Sequence, residues 1–200
     1  QKNLLIVFAK NIVLGKVKTR LAKTIGDSGA FMVYKRLFDI TEEQSLKVKD
    51  ATLRVYFSDV VIRSKWVDSE KYVQEGENLG ERMQSAFKQG FEDGYSNIIG
   101  IGADLPEITA DIIENGFNEL ITSDFVFGPA EDGGYYLVGM SKAEGLYVFD
   151  DKPWSTDGLM QLTQQEIGEK ADSLVYLDVL NDIDTVEDLK KSGLAGEFGY

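Results

Sequence analysis

Four cationic side chains stand close together in the stretch FAKNIVLGKVKTRLAK near the start of the chain. They are Lys10, Lys16, Lys18 and Arg20. This basic loop (residues 10–20) follows the apolar run NLLIVFA, and a loop between a buried strand and a helix can offer backbone N–H groups to phosphate. Gly15 permits a tight turn. The pattern therefore predicts a phosphate site, although a solvated loop that only aids solubility is the alternative.

The basic loop lacks two common nucleotide-binding patterns. It contains neither the GxxxxGK[ST] sequence of P-loop ATPases nor the GxGxxG sequence of dinucleotide dehydrogenases. Neither of these two classes is therefore expected.

Three aspartates follow apolar runs and are candidates for binding a cation. Asp104, in GIGADLPEIT, comes directly after an apolar strand, where a carboxylate can hold a divalent ion against a diphosphate. Asp182 and Asp184, in LNDIDTVEDL, are two residues apart, so an extended backbone places both carboxylates on one face. The alternatives are that Asp104 only stabilises a turn and that Asp182 faces solvent while Asp184 begins a helix.

A further carboxylate precedes a glycine pair in GPAEDGGYYLVG. Asp132 followed by Gly133 and Gly134 is typical of backbone that passes close to a ligand, and a hairpin turn explains the same residues. Because the chain has no histidine, we expect Asp132 to be the general base of any reaction, with Glu131 in reserve.

The composition excludes several kinds of site. The 200 residues contain no Cys and no His, which rules out Ser-His-Asp triads, Cys-His pairs and His- or Cys-ligated zinc. A metal must then bind oxygen, which favours Mg²⁺, Mn²⁺ or Ca²⁺. The net charge of −13 argues against nucleic acid as a partner. We expect a single domain over residues 1–200, with no signal peptide or membrane span and a cytoplasmic location.

The apolar patterns alternate between strand and helix and so predict an α/β sandwich with a largely parallel sheet. The predicted strands cover residues 3–9, 52–57, 97–102, 125–128, 135–140 and 174–177. Predicted helices start at Asp27 or Ser28, near Leu79, after Thr109, after Ser155 and at a capping box of Thr185 with Asp188. Since ligands bind beyond the carboxyl ends of such strands, we expect the polar motifs to meet at one edge.

Six stretches, read together, resemble one known family. They are FAKNIVLGKVKTRLA, ENLGERMQSAF, GADLPEIT, GPAEDGGYYLVG, PWST and DIDTVEDL, and they run in order along nearly the whole chain. The chain resembles the glycosyltransferase-A-like family of small bacterial nucleotide-diphosphosugar transferases, some of which are labelled arsenosugar-biosynthesis glycosyltransferases. The wider superfamily includes nucleotidyltransferases such as 2-phospholactate guanylyltransferase and molybdenum-cofactor cytidylyltransferase.

The resemblance implies a Rossmann-like three-layer αβα sandwich with a mixed, mostly parallel sheet that binds a nucleotide and Mg²⁺ or Mn²⁺. By resemblance, Asp104 is the metal aspartate and Asp182 the second metal-side carboxylate. The cations of the basic loop correspond to the phosphate-binding residues. One departure is that Ile12 and Val13 stand where the family usually has prolines, which predicts a looser loop.

The resemblance also assigns residues to the two other sides of the site. Asp132, Gly133 and Gly134 correspond to the acceptor or sugar side. The residues expected to border the nucleotide pocket are Leu79, Gly80 and Arg82.

Two reactions fit these residues, since both gain from cations aimed at developing negative charge. One is glycosyl transfer from a nucleotide sugar, which the family favours and which we place first. The other is nucleotidyl transfer from a nucleoside triphosphate to a phosphorylated acceptor, which several cations in one loop favour. A third possibility is a nucleotide-binding protein without catalysis. The sequence leaves open the base, the sugar, the small-molecule acceptor, the stereochemical outcome and the oligomeric state.

Overall fold

Seven strands form one mixed sheet in this computed structural model, which describes residues 2–200. The strands are β1 (Asn3–Ala9), β2 (Ala51–Phe57), β3 (Glu70–Val73), β4 (Asn97–Ile101), β5 (Phe125–Pro129), β6 (Tyr135–Met140) and β7 (Leu174–Tyr176). Their order is β3-β2-β1-β4-β6-β5-β7, and among the strands described β6 alone is antiparallel to its neighbours. The carboxyl ends of β1, β4, β5 and β7 therefore meet at one edge of the sheet.

Five α-helices lie along the sheet and its edges. They are α1 (Thr19–Leu46), α2 (Leu79–Glu92), α3 (Ala110–Glu119), α4 (Leu159–Glu169) and α5 (Val186–Lys191). One face packs on α1 and α3 through a cluster that includes Phe38 and Phe117. The other face packs on α2 and α4 through a cluster that includes Phe87 and Ile167. These two clusters establish the predicted three-layer αβα sandwich with a mixed, mostly parallel sheet.

The central strands form because their sequences are continuously apolar, as buried parallel strands require. In β1, residues 4–7 (LLIV) are wholly buried, and in β4 every residue of NIIGI is buried. Each predicted strand is present, with bounds that differ by no more than one residue at either end. The sequence prediction missed β3, because it is a short and largely exposed edge strand that pairs only with β2.

Capping residues mark three of the helix starts. Thr109 accepts a hydrogen bond from the Ile112 N–H at the start of α3. The capping box of Thr185 with Asp188 begins α5 as predicted. Asn78 caps α2 by accepting from the Glu81 N–H. Each bond satisfies an N–H that has no partner within the helix.

Two predicted helix starts were wrong. The first helical segment begins at Thr19 and continues past a kink at Gly26 (φ 82°), so Asp27 and Ser28 lie inside α1. Lys18, the residue at the capping position before Thr19, makes no side-chain cap hydrogen bond. The sequence therefore contains no signal for the start of α1. The predicted helix start after Ser155 was also wrong. Helix α4 begins at Leu159, after Gly158, which makes no side-chain cap, and Ser155 lies in the preceding loop with φ 62°.

No helix among residues 2–200 is long and apolar enough to cross a membrane.

Candidate functional site

A pocket of about 660 Å³ opens at the edge where the parallel strands end. Most of the side chains predicted for the site line it. These are Lys10, Lys16, Lys18, Asp104, Asp132, Gly134 and Asp182, together with Asp184 and the neighbouring Leu79. The fold thus brings together motifs that are separated by up to about 170 residues in the sequence.

Six of the predicted residues do not line this pocket, and two of them are Gly80 and Glu131. Gly15 forms a turn in the basic loop with φ 78°, and Gly133 packs against the Asp157 backbone. Arg20 pairs with Asp184, with 2.9 Å between Nη1 and Oδ2, and its side chain is 73% exposed. Arg82 donates from Nε to the Gly76 carbonyl at 3.0 Å, outside the lining.

The basic loop is held to the β2–β3 connection by Asn11, which is 93% buried. Its backbone N–H donates to the Ser58 hydroxyl, and its side-chain N–H donates to the Val60 carbonyl. The side-chain oxygen accepts from the Asp59 and Val60 N–H groups. The loop, which lacks the family's prolines, is therefore fixed at its base by hydrogen bonds. Sequence reasoning missed Asn11, because asparagine is common in any loop.

Lys18 is the most constrained cation of the loop. It immediately precedes α1 in the left-handed conformation (φ 50°, ψ 50°), which costs a non-glycine residue about 1 kcal/mol or more. Its side chain is only 8% exposed, and Nζ lies 3.2 Å from Oδ2 of Asp104. The ion pair joins the basic loop to the end of β4 across 86 residues of sequence.

Asp182 shares the field of this ion pair. Burial and the nearby charge of Asp104 raise the pKa of Asp182 to about 6, while the positive charge of Lys18 acts in the opposite direction. The carboxylates of Asp104 and Asp182 are thus close enough to repel each other, and the Lys18 ammonium group partly offsets this repulsion. Such a pair is stabilised by any additional cation that can reach both.

The donor set fits a divalent cation that also binds a ligand. No group of three acidic side chains among residues 2–200 is arranged to hold a metal alone. Mg²⁺ commonly binds one or two carboxylates and takes its other ligands from phosphates and water. Asp104 and Asp182 supply two such carboxylates. Lys10 and Lys16 line the same pocket and can contact the phosphates.

The turn after β5 is built around Asp132 and two glycines. Oδ1 of Asp132 accepts from the Gly134 N–H at 2.9 Å, and the Gly133 N–H donates to the Ala130 carbonyl. Gly133 has φ 90°, and a Cβ there would lie 2.0 Å from the Asp157 carbonyl oxygen. The residue that needs to be glycine is therefore Gly133. A Cβ at Gly134 would meet only Oδ1 of Asp132, at 3.3 Å.

The loop that leads into α4 also lines the pocket and was not assigned to the site from sequence. Trp154, Ser155 and Thr156 contribute to the lining, as does Tyr135 at the start of β6. The stretch PWST was part of the family resemblance, which was the available signal. From the sequence alone, Ser155 in this polar loop is interpreted as the cap of the following helix instead.

We expect Asp182→Asn to stabilise the ligand-free protein at neutral pH. Because the pKa of Asp182 is higher in the folded state (about 6) than in the unfolded chain, the wild type loses stability as pH rises from about 4 to 6. The variant avoids this loss and should be more stable by about 1–2 kcal/mol at pH 7.5, after allowance for solvent screening. Urea unfolding with EDTA at pH 7.5 and pH 4 measures the difference, which should vanish at pH 4. A variant that is less stable than the wild type at pH 7.5 would contradict the expected repulsion.

Comparisons with known proteins agree with this architecture. Residues 45–156 match the family described as "Uncharacterized protein conserved in bacteria (DUF2064)". A crystal structure from Desulfovibrio desulfuricans G20, described as a "putative nucleotide-diphospho-sugar transferase", is 29% identical with a TM-score of 0.87. The superposition covers 96% of this chain and 89% of that one. The search of curated proteins found no match.

More distant structures share the fold. A 4-diphosphocytidyl-2C-methyl-D-erythritol synthase from Anaerococcus prevotii is 11% identical, with a TM-score of 0.62 over 98% of this chain and 99% of that one. A CMP:2-keto-3-deoxy-manno-octonic acid synthetase complexed with CTP is also 11% identical, with a TM-score of 0.59 over 96% of each chain. Since the family match spans more than half of the sequence, this chain belongs to the DUF2064 family of bacterial proteins and has a nucleotide-diphosphosugar transferase-like fold.

Proposed function

We propose that this protein is a metal-dependent glycosyltransferase that moves a sugar from a nucleotide sugar to a small-molecule acceptor. The observation that carries the proposal is the Lys18–Asp104 ion pair, with Asp182 in its field and further lysines in the same pocket. Support also comes from the description of the 29% identical structure, which names a nucleotide-diphospho-sugar transferase.

Asp104 and Asp182 are the residues that would hold Mg²⁺ or Mn²⁺ at the end of β4. The ion would neutralise the diphosphate, which is the leaving group of glycosyl transfer. Lys10, Lys16 and Lys18, which line the same pocket, would add further positive charge for the phosphates. A protein with net charge −13 needs such local cations to bind an anionic donor at all.

Asp132 is the proposed general base. In the transfer, the bond between the anomeric carbon and the diphosphate oxygen breaks, and the nucleoside diphosphate leaves with the electron pair. The acceptor oxygen forms the new bond to the anomeric carbon, and its proton passes to the Asp132 carboxylate. The exposed Asp132 side chain lines the pocket, which allows it to meet an acceptor that enters from solvent.

Nucleotidyl transfer is the second candidate, and the number of lysines in the pocket favours it. Three lysines together with one divalent ion suit the charge of a triphosphate better than that of a diphosphate. In that reaction a phosphorylated acceptor attacks the α-phosphate, and pyrophosphate leaves.

A thermal-shift panel separates the two candidates. Nucleotide sugars and nucleoside triphosphates are compared at equal concentration, with Mn²⁺ and with EDTA. A specific donor at about 100 times its Kd should stabilise the fold by about 2.7 kcal/mol, and only with the metal. A shift by nucleotide sugars supports glycosyl transfer, and a shift by triphosphates alone supports nucleotidyl transfer. Equal shifts with EDTA would remove the metal from the proposal.

Lys18→Ala should weaken nucleotide binding by roughly 1.5–3 kcal/mol, the range for hydrogen bonds to charged groups. Arg20→Ala should weaken it less than the lysine variant does, because Arg20 is exposed and already paired with Asp184. Lys23→Ala is the matched control, since Lys23 is exposed on α1 and does not line the pocket. Isothermal titration with the donor from the panel measures all three variants. Equal small effects at the three positions would favour the solvated-loop alternative.

A further inference from the structure

One part of the pocket lining is aromatic and lies outside the charged residues discussed above. Trp154 is half-buried and packs against the start of α2, where Gly80 leaves room for it. A Cβ at Gly80 would lie 3.0 Å from Nε1 and Cζ2 of the indole. Tyr135 and Trp154 pack on the same buried cluster beneath the pocket. We call Trp154 and Tyr135 the aromatic wall.

The loop that carries Trp154 is held in place by a buried lysine. The Lys152 side chain is 4% exposed and pairs with Glu166 of α4, with 2.6 Å between Nζ and Oε2. Its Nζ also donates to the Asp150 carbonyl at 2.6 Å. Burying a lysine is costly, so these partners indicate that the loop has one defined position. These contacts hold the segment that carries the indole against α4.

Backbone strain occurs in the same loop. Asp151 (φ 48°) and Ser155 (φ 62°) both adopt the left-handed conformation although neither is glycine. Such residues are strained, and residues of this kind cluster at ligand sites. Asp151 lies three residues before Trp154 and Ser155 directly after it, and Ser155 lines the pocket.

The loop is also joined to the turn that carries the proposed base. The Gly133 backbone contacts the Asp157 carbonyl so closely that a side chain cannot fit, and the Met160 N–H donates to the Gly133 carbonyl at 2.9 Å. The loop that carries Trp154 and the turn that carries Asp132 are therefore in direct contact. A group that lies on the wall would be positioned relative to Asp132.

Tyr135 adds a polar group to the wall. Its hydroxyl oxygen is buried, and within residues 2–200 it has no hydrogen-bond partner. A buried hydroxyl without a hydrogen-bond partner is unfavourable. Because the hydroxyl is closed to solvent, a ligand hydroxyl becomes its partner only when the Tyr135 side chain shifts toward the pocket that it lines.

We propose that the aromatic wall binds a pyranose ring, a deduction that rests on the proposed function. A pyranose presents an apolar C–H face that can lie on the indole, and its edge carries hydroxyls that can pair with Tyr135, Ser155 and Asp132. A nucleobase can also stack on an indole, so the comparison of each nucleotide sugar with its own diphosphate below separates the two ligands. The ring can belong to the donor or to the acceptor, and both present the same chemistry.

Acrylamide quenching of tryptophan fluorescence tests the proposal in the wild-type protein. Trp66 is wholly buried, so Trp154 dominates the quenching. UDP, GDP and ADP are compared with UDP-glucose, GDP-mannose and ADP-glucose, all with Mn²⁺. We expect one nucleotide sugar to protect Trp154 more than its own diphosphate does. If the diphosphate together with free glucose or mannose gives the protection instead, the ring belongs to the acceptor. Trp154→Phe, which retains Trp66, should abolish the protection signal.

Affinity measurements on variants complete the test. Trp154→Ala should lower the preference for the nucleotide sugar over its diphosphate by about tenfold or more. Tyr135→Phe should lower it by several-fold without lowering the unfolding temperature. Tyr176→Phe is the control, since Tyr176 is exposed on β7 and does not line the pocket. If Trp154→Ala does not fold, Trp154→Phe is measured in its place and should show a smaller loss of the same kind.

The outcomes separate this proposal from the proposed function. A diphosphate that binds and protects Trp154 as fully as the nucleotide sugar would mean that the wall holds the base, and the pyranose proposal would be wrong. Variants that keep the wild-type preference, or for an acceptor ring the wild-type affinity for the free sugar, would also overturn it, while nucleotide binding itself would stand. Failure of every nucleotide to bind the wild type would overturn both.

Discussion

Asp104→Asn is expected to abolish metal-dependent nucleotide binding and to lower turnover by about 10³-fold or more, which exceeds the usual loss from removing one group that stabilises transition-state charge. The side chain keeps its size and can still accept a hydrogen bond from Lys18, so the loop should remain in place. The charge that would hold the cation is lost. The roughly 2.7 kcal/mol stabilisation expected from a saturating donor should then no longer depend on Mn²⁺.

The matched control for this variant is Asp111→Asn. Asp111 is an exposed aspartate in the first turn of α3, close to Asp104 in sequence but outside the pocket. The Asp111→Asn protein should bind the donor as the wild type does. An Asp104→Asn protein that retains undiminished Mn²⁺-dependent binding would reduce Asp104 to a turn residue.

Asp132→Asn is expected to cut turnover by about 10²–10⁴-fold while leaving nucleotide binding nearly intact, since this is the usual contribution of a positioned base. Asparagine can preserve the local structure, because its side-chain oxygen can accept the Gly134 N–H as the aspartate does. The change therefore removes the charge and the proton-accepting ability without removing the turn. Binding and turnover should be measured side by side on the same preparation.

Glu131→Gln is the natural comparison for the base. Glu131 is equally exposed but does not line the pocket. It should keep wild-type turnover if Asp132 is the base. Unchanged turnover in Asp132→Asn would reduce the motif to a hairpin, and loss of metal affinity would move Asp132 to the metal side of the site.

The layers of the fold followed from local patterns in the sequence. The runs that became β1 and β4 are apolar throughout, and the caps at Thr109 and Thr185 act through bonds to residues three positions away. Such signals are contained in a few consecutive residues. The convergence of the basic loop, Asp104 and Asp182 followed from one general rule about where parallel strands end.

The parts that were missed depend on contacts between distant residues. Nothing local marks Thr19 as a helix start, because Lys18 precedes it in a strained conformation and pairs with Asp104. Ser155 looked like a cap, but Trp154 beside it packs against Gly80, more than seventy residues earlier in the sequence. The importance of Gly133 over Gly134 is likewise set by the backbone of Asp157.

The central claim is that Asp104 and Asp182 hold a divalent cation against nucleotide phosphates. The most direct test is a crystal structure with Mn²⁺ and the donor from the thermal-shift panel, with the cation located by its anomalous scattering. We predict a peak in contact with both carboxylates and with a phosphate oxygen, and lysines of the basic loop on the phosphates. A nucleotide bound with no peak at these carboxylates, and with Lys18 still paired to Asp104, would contradict the claim.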